Sequence, residues 1–190
     1  MQKFIRYILA IFLISASNFC IAKEIGGDFT LTADDGSEYS LHDSRDKIVI
    51  LTFGYTFCPD ICPTALSNVG YALDGLGDEI DQVEAFFVSL DPDRDTPDHL
   101  AEYTHYFHPH ITGLTGSTEM LRRIADQYRV KYSFVNKGKK KHYTMDHSAN
   151  FYIIDTKGNL LRILPHGLPP QALLKSLRSA IPTKTLSYSM

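Results

Sequence analysis

The sequence predicts one α/β domain, with helices packed on a mixed sheet. Three observations predict it. The apolar runs at residues 48–53 and 83–90 each have the length of a buried strand. A stretch of helical period at residues 63–76 lies between them, so strand, helix and strand follow in the order of a βαβ unit. A chain of 190 residues, 44% apolar and 22% charged, can bury one core and has the composition of a globular protein.

The elements follow in order. Phe29, Leu31, Tyr39 and Leu41 flank Asp35-Gly36, a hairpin turn signal. Residues 47–53 form a strand that runs into a loop carrying two cysteines. Residues 63–76 form a helix, broken at Gly75 and Gly77. After the strand at 83–90, Thr96-Pro97 opens a helix to about residue 107, with Thr96 as its N-cap and the proline preset for the first turn. Residues 117–128 place Leu121, Ile124, Ala125 and Tyr128 on one helix face. Residues 130–135 read as a short strand, and residues 136–143 as a polar, lysine-rich loop. Residues 151–155 and 160–164 pair across Lys157-Gly158-Asn159, and residues 169–181 close the domain as a helix. Hairpin, βαβ, hairpin and final helix is the order of a thioredoxin-like fold. Here it carries an N-terminal β-hairpin and an inserted loop before His147. The domain is expected to span residues 23–183, with a loose tail at 184–190.

Residues 1–22 are different. Lys3 and Arg6 precede an apolar run at 7–16, and small residues lead to Ala22, the plan of a signal peptide or an N-terminal anchor. The run is short for a membrane span. Cleavage after Ala22 would place Cys20 at the −3 position, and Phe19 before Cys20 argues against lipidation there. The domain is therefore expected in the periplasm or cell envelope, soluble or anchored to the inner membrane. An oxidising compartment keeps an unattended cysteine pair as a disulfide, so function there calls for a reductant or a metal. A formal charge of −3 argues against a nucleic-acid partner.

The chemistry concentrates in Gly54-Tyr55-Thr56-Phe57-Cys58-Pro59-Asp60-Ile61-Cys62-Pro63. A residue before proline is biased toward extended backbone, and proline suits the first helical position. Hence the helix is expected to start at Pro63, with Cys62 near its N-cap and Cys58 in the loop. Both sulfurs would then lie near the positive end of a helix dipole, which favours the thiolate, at once nucleophile and metal ligand. A regular helix would hold the two Cβ atoms roughly 5–6 Å apart, too far for a disulfide, which needs about 3.8 Å. A loop permits a disulfide or a shared metal alike. Buried structural cysteines are the plainer reading, but Cys-Pro twice at a strand end is a poor way to build core.

Three further stretches belong with this one. They are Ser89-Leu90-Asp91-Pro92-Asp93-Arg94-Asp95-Thr96-Pro97, Gly113-Leu114-Thr115-Gly116 and Met145-Asp146-His147-Ser148-Ala149-Asn150-Phe151. Together the four closely resemble the Sco/SenC family, the copper-binding assembly factors of cytochrome c oxidase, over residues 26–181. The resemblance implies that Cys58, Cys62 and His147 bind one copper ion, as Cu(I) and also as Cu(II), and that Cys58 and Cys62 form a redox pair. It implies the copper-site subunit of the oxidase as partner, with other copper chaperones or a thioredoxin-like reductant upstream. The residues agree with it: thiolates select Cu(I), imidazole suits either oxidation state, and three ligands leave room for one from a partner. In thioredoxins the loop before the corresponding strand holds a proline against the cysteines; here His147-Ser148-Ala149-Asn150 has none.

Asp91 and Asp95 either flank this site or cap the helix that follows, and Arg94 can pair with either. Asp146 is a candidate to orient His147, or a plain turn residue. His99, His105, His108 and His110 are read as surface histidines, the sharper alternative being a weak accessory metal site. Lys137 to His142 is a basic run that reads as a solvated loop; in the sharper reading Lys139, Lys140 and Lys141 guide docking of an acidic partner and His142 is a transient entry ligand. Two roles compete within the family: copper delivery, which needs His147, and thiol-disulfide exchange, which does not. A peroxidase would want threonine three residues before its reactive cysteine, where this chain has Tyr55.

Overall fold

The computed structural model describes residues 24–136 and 143–182. The expected signal or anchor, the 137–142 run with Lys139, Lys140, Lys141 and His142, and the tail from residue 183 lie outside the described residues.

A seven-stranded sheet in the order β2-β1-β5-β4-β3-β8-β9 forms the centre. The hairpin β1 (Thr30–Ala33) and β2 (Glu38–Ser40) turns at Asp35-Gly36, as the sequence indicates. β3 (Ile48–Gly54) is buried at every position, which is why its sequence is a continuous apolar run rather than an alternating one. It pairs in parallel with β4 (Val83–Ser89) and antiparallel with β8 (Asn150–Ile154), which pairs with β9 (Leu160–Pro165). The order β4-β3-β8-β9, with α1 (Ile61–Leu76) crossing from β3 to β4, is the thioredoxin-like arrangement. α2 (Pro97–Phe107) is capped by Thr96, whose side chain accepts the His99 N–H. α3 (Thr118–Gln127) is capped by Ser117, and α4 (Pro170–Arg178) packs beside α1.

Three elements differ from the sequence expectation. β5 (Ile111–Thr115) joins β4 to β1 in a segment where the sequence predicts no element. Its Gly113 is there for closeness: a Cβ would stand 2.6 Å from the Leu100 Cβ of α2. α1 begins at Ile61 rather than Pro63, so Cys62 is helical. Pro63 is tolerated because the first turn of a helix has N–H groups without partners, and a missing one costs nothing. The helix also runs through Gly75 and ends at Leu76, with Gly77 at φ +58°. Finally, His147 does not sit in a loop. It ends β7 (Thr144–His147), which pairs with β6 (Tyr132–Val135) in a separate two-stranded sheet, Tyr132 opposite His147.

Candidate metal centre

Four segments meet at one end of the sheet: the turn from β3 into α1, the loop after β4, the end of β7 and the start of β8. There the Sγ atoms of Cys58 and Cys62 and a ring nitrogen of His147 lie within 4.8 Å of one another, the one such group among the described residues. Both cysteines are free thiols. His147 Nε2 is 3.4 Å from Cys62 Sγ, and Nδ1 is 3.1 Å from the Ser148 carbonyl. A carbonyl only accepts, so Nδ1 carries the proton and Nε2 keeps the lone pair a metal needs. Ser148 therefore does what the sequence reading assigned to Asp146, whose exposed side chain lies on the alternate face of β7.

The two thiols are unequal. Cys58 is 9% exposed and Cys62 2%. A hydrogen bond from the Cys62 thiol pulls the Cys58 thiol well below its ordinary range, against the effect of burial, with help from the N–H groups of Asp60 and Cys62. Those two N–H groups belong to the start of α1, so the helix end serves a sulfur directly. The same contact with Cys58, and then burial, pushes the Cys62 thiol well above its ordinary range. One proton is thus held on Cys62 and the negative charge on Cys58. Iodoacetamide at about pH 6, where an ordinary thiol of pKa about 8.5 is inert, is expected to label Cys58 and spare Cys62 in the reduced, metal-free protein. Peptide mass spectrometry reads this; equal labelling would contradict it.

Around these three side chains stands a built support. The Tyr55 hydroxyl accepts the Met145 N–H at 3.1 Å, tying the cysteine turn to β7, and its ring meets the His147 ring edge-on at 5.9 Å. Asp95 is fully buried and accepts from the Thr56 N–H (3.1 Å), the Thr56 hydroxyl (2.6 Å) and the Ser89 hydroxyl (2.6 Å). It neither caps α2, which Thr96 does, nor belongs to the three-residue group; it clamps the loop before Cys58. Asp91 accepts from Arg94 Nε and from the Tyr143 hydroxyl, both at 2.5 Å. The Arg94 guanidinium lies 3.7 Å over the Tyr143 ring and 4.6 Å over Phe57, an apolar side chain more than half exposed beside Cys58. Sequence reasoning missed Thr56, Ser89, Tyr143 and the structural part of Tyr55; the signal was a hydroxyl-bearing residue on each loop that reaches the site.

Asp95→Ala would leave three donors without their acceptor, each buried unpaired group costing about 1–3 kcal/mol. A loss of at least about 3 kcal/mol is expected, read from the urea midpoint; a wild-type midpoint would contradict the clamp.

The four neighbouring histidines do not converge. The exposed His105 is 3.9 Å from Asp34, and His99 packs against Phe57 with ring centroids 5.6 Å apart. His108 is not a surface residue: it is buried, with Nε2 3.3 Å from Asp74 and Nδ1 accepting the His110 N–H. A hollow of about 580 Å³ lies at the opposite end of β4, but its Lys47, Glu84 and Tyr39 are already engaged, Lys47 and Tyr39 with Glu84 and Ser44 respectively.

Comparison with known proteins places this geometry. A model of the SCO1/SenC family matches residues 21–182. The chain belongs to the SCO1/SenC family. Mitochondrial SCO2 of Saccharomyces cerevisiae is 37% identical over 159 residues, which is 83% of this chain and 53% of that protein. The chain thus spans about half the length of this relative. Two solved SCO1/SenC structures are similar throughout the domain. Arabidopsis thaliana ScoI with copper bound has a TM-score of 0.75 and 35% identity, covering 83% of this chain and 98% of that one. Bradyrhizobium japonicum ScoI with copper bound has a TM-score of 0.76 and 35% identity, covering 82% and 99%. The thioredoxin-like fold is therefore shared with other SCO1/SenC members. No helix among the described residues is long and apolar enough to cross a membrane.

Proposed function

We propose that the protein is a copper metallochaperone of the cell envelope that delivers copper to the dinuclear copper site of cytochrome c oxidase during assembly. The observation that carries this reading is the convergence of two thiols and one imidazole within 4.8 Å. The donor set fits copper: thiolates select Cu(I), and imidazole serves both oxidation states. Membership in a family with copper-bound members supports the choice of metal. Cys58, Cys62 and His147 hold the ion, and a three-ligand site leaves a position for the receiving subunit. His147 is half-buried and lines a hollow of about 360 Å³ together with Lys131, Tyr132 and Asp146. The envelope location rests on the expected signal or anchor at residues 1–22.

A second reading is favoured by the unequal thiols. A reactive, more open Cys58 beside a buried Cys62 is the division of labour of a thiol-disulfide reductase, with Cys58 attacking and Cys62 resolving. In that role the protein keeps the oxidase cysteines reduced. Mixing the copper-loaded protein with the pre-reduced apo copper domain of the oxidase separates the two. Delivery predicts spectroscopic filling of the site, lost in His147→Ala. If copper stays behind while the wild type and His147→Ala both reduce an oxidised acceptor, the reductase reading replaces delivery.

A further inference from the structure

Gly54 is the last residue of β3, and its carbonyl accepts the Leu90 N–H at 2.7 Å. Its backbone is outside the positive-φ region, so glycine is not required here for conformation. It is required for space. A Cβ at this position would stand 2.5 Å from Cys62 Sγ, and 2.8 and 3.0 Å from two atoms of the Phe87 ring. Non-bonded carbon contacts are optimal near about 3.5–4.0 Å. The strand has no room to retreat, because Gly54 is held in register with Ser89 of β4. The Cys62 sulfur also lies 3.4 Å from His147 Nε2.

We propose that Gly54 is a positioning residue of the metal centre. Its bare Cα is the seat onto which the Cys62 sulfur sinks at the end of β3, where His147 meets it from β7. What the seat is for rests on the copper reading; that it exists does not. Any side chain at position 54 lifts the sulfur off the strand and changes its approach to His147. Phe87 is the neighbour that would suffer from the same side chain for reasons of packing alone, since its ring is fully buried in the core.

That difference provides the test. Gly54→Ala, Phe87→Leu and the double variant are compared by three measurements: the urea midpoint, Cu(I) affinity against a competing chelator, and the rate of the second alkylation, on Cys62, in reduced, metal-free protein. In the double variant the ring no longer meets the new methyl group, but the sulfur still does. Gly54→Ala should lose at least ~10-fold in copper affinity, the scale on which metal-site supports act, and its Cys62 should alkylate at least ~10-fold faster. Relative to Phe87→Leu, the double variant should show both effects while recovering the stability lost to the ring contact. Should Gly54→Ala alone fail to fold, the double variant decides by the same readouts. A double variant that matches Phe87→Leu in copper affinity and in Cys62 protection overturns the proposal, leaving Gly54 a packing residue. A wild type that takes no copper while Cys62 of Gly54→Ala alkylates faster keeps the seat and removes the copper reading instead.

Discussion

Replacing either Cys58 or Cys62 with alanine should abolish stable copper binding. Each change removes one of two soft donors, and the remaining thiol with one imidazole no longer selects Cu(I) over competing ligands. The two variants fail for different reasons. Cys62→Ala removes the hydrogen bond that favours the Cys58 thiolate and the sulfur that lies 3.4 Å from His147 Nε2. Cys58→Ala leaves a buried thiol that must lose its proton in a site where burial already opposes the charge. Losing a support of a metal ligand costs ~10–100-fold in affinity, so losing a ligand should cost more than ~100-fold. An anaerobic Cu(I) titration against a chelator measures this, with the urea midpoint as control for the fold. Unchanged affinity in either variant would contradict the assignment.

His147→Ala should weaken copper retention at least ~10-fold while leaving the fold and the disulfide potential of Cys58 and Cys62 nearly intact. The side chain is half-buried at the end of a two-stranded sheet, outside the main core. Its packing contact is the edge-on Tyr55 ring, worth about 0.5–1.5 kcal/mol. If the variant does not fold, the histidine is a structural residue and the site must be redrawn. If it folds and holds copper as tightly as the wild type, the third ligand lies elsewhere.

Much of this was legible in the sequence because the decisive signals were local. The unbroken apolar run before Gly54 marked a central strand, Thr96-Pro97 marked a helix start, and Lys157-Gly158-Asn159 marked a hairpin. Cys58, Cys62 and His147 were readable together only through the motifs of the SCO1/SenC family, since 85 residues separate Cys62 from His147. What escaped was decided by contacts distant in sequence. β5 is a strand because β4 and β1 supply partners on both sides of a weak segment. Cys62 is helical because the bias of a residue before proline yields where the first turn needs no N–H from Pro63. Asp146 stood next to His147 in sequence but faces away from it, and the Ser148 carbonyl, invisible as a side-chain signal, fixes the ring. Asp91 and Asp95 hold the loops that reach the site. Their partners Tyr143 and Thr56 could not be read, because they lie 52 and 39 positions away.

The central claim is that this one end of the sheet holds copper through two sulfurs and one imidazole. X-ray absorption at the copper edge, on the reduced protein loaded with one equivalent of Cu(I), tests it most directly. The account predicts two sulfur scatterers at about the distance of thiolate ligands, near 2.3 Å by analogy with zinc sites, and one imidazole shell that disappears in His147→Ala. A copper environment without sulfur, or an imidazole shell that survives in that variant, would contradict it.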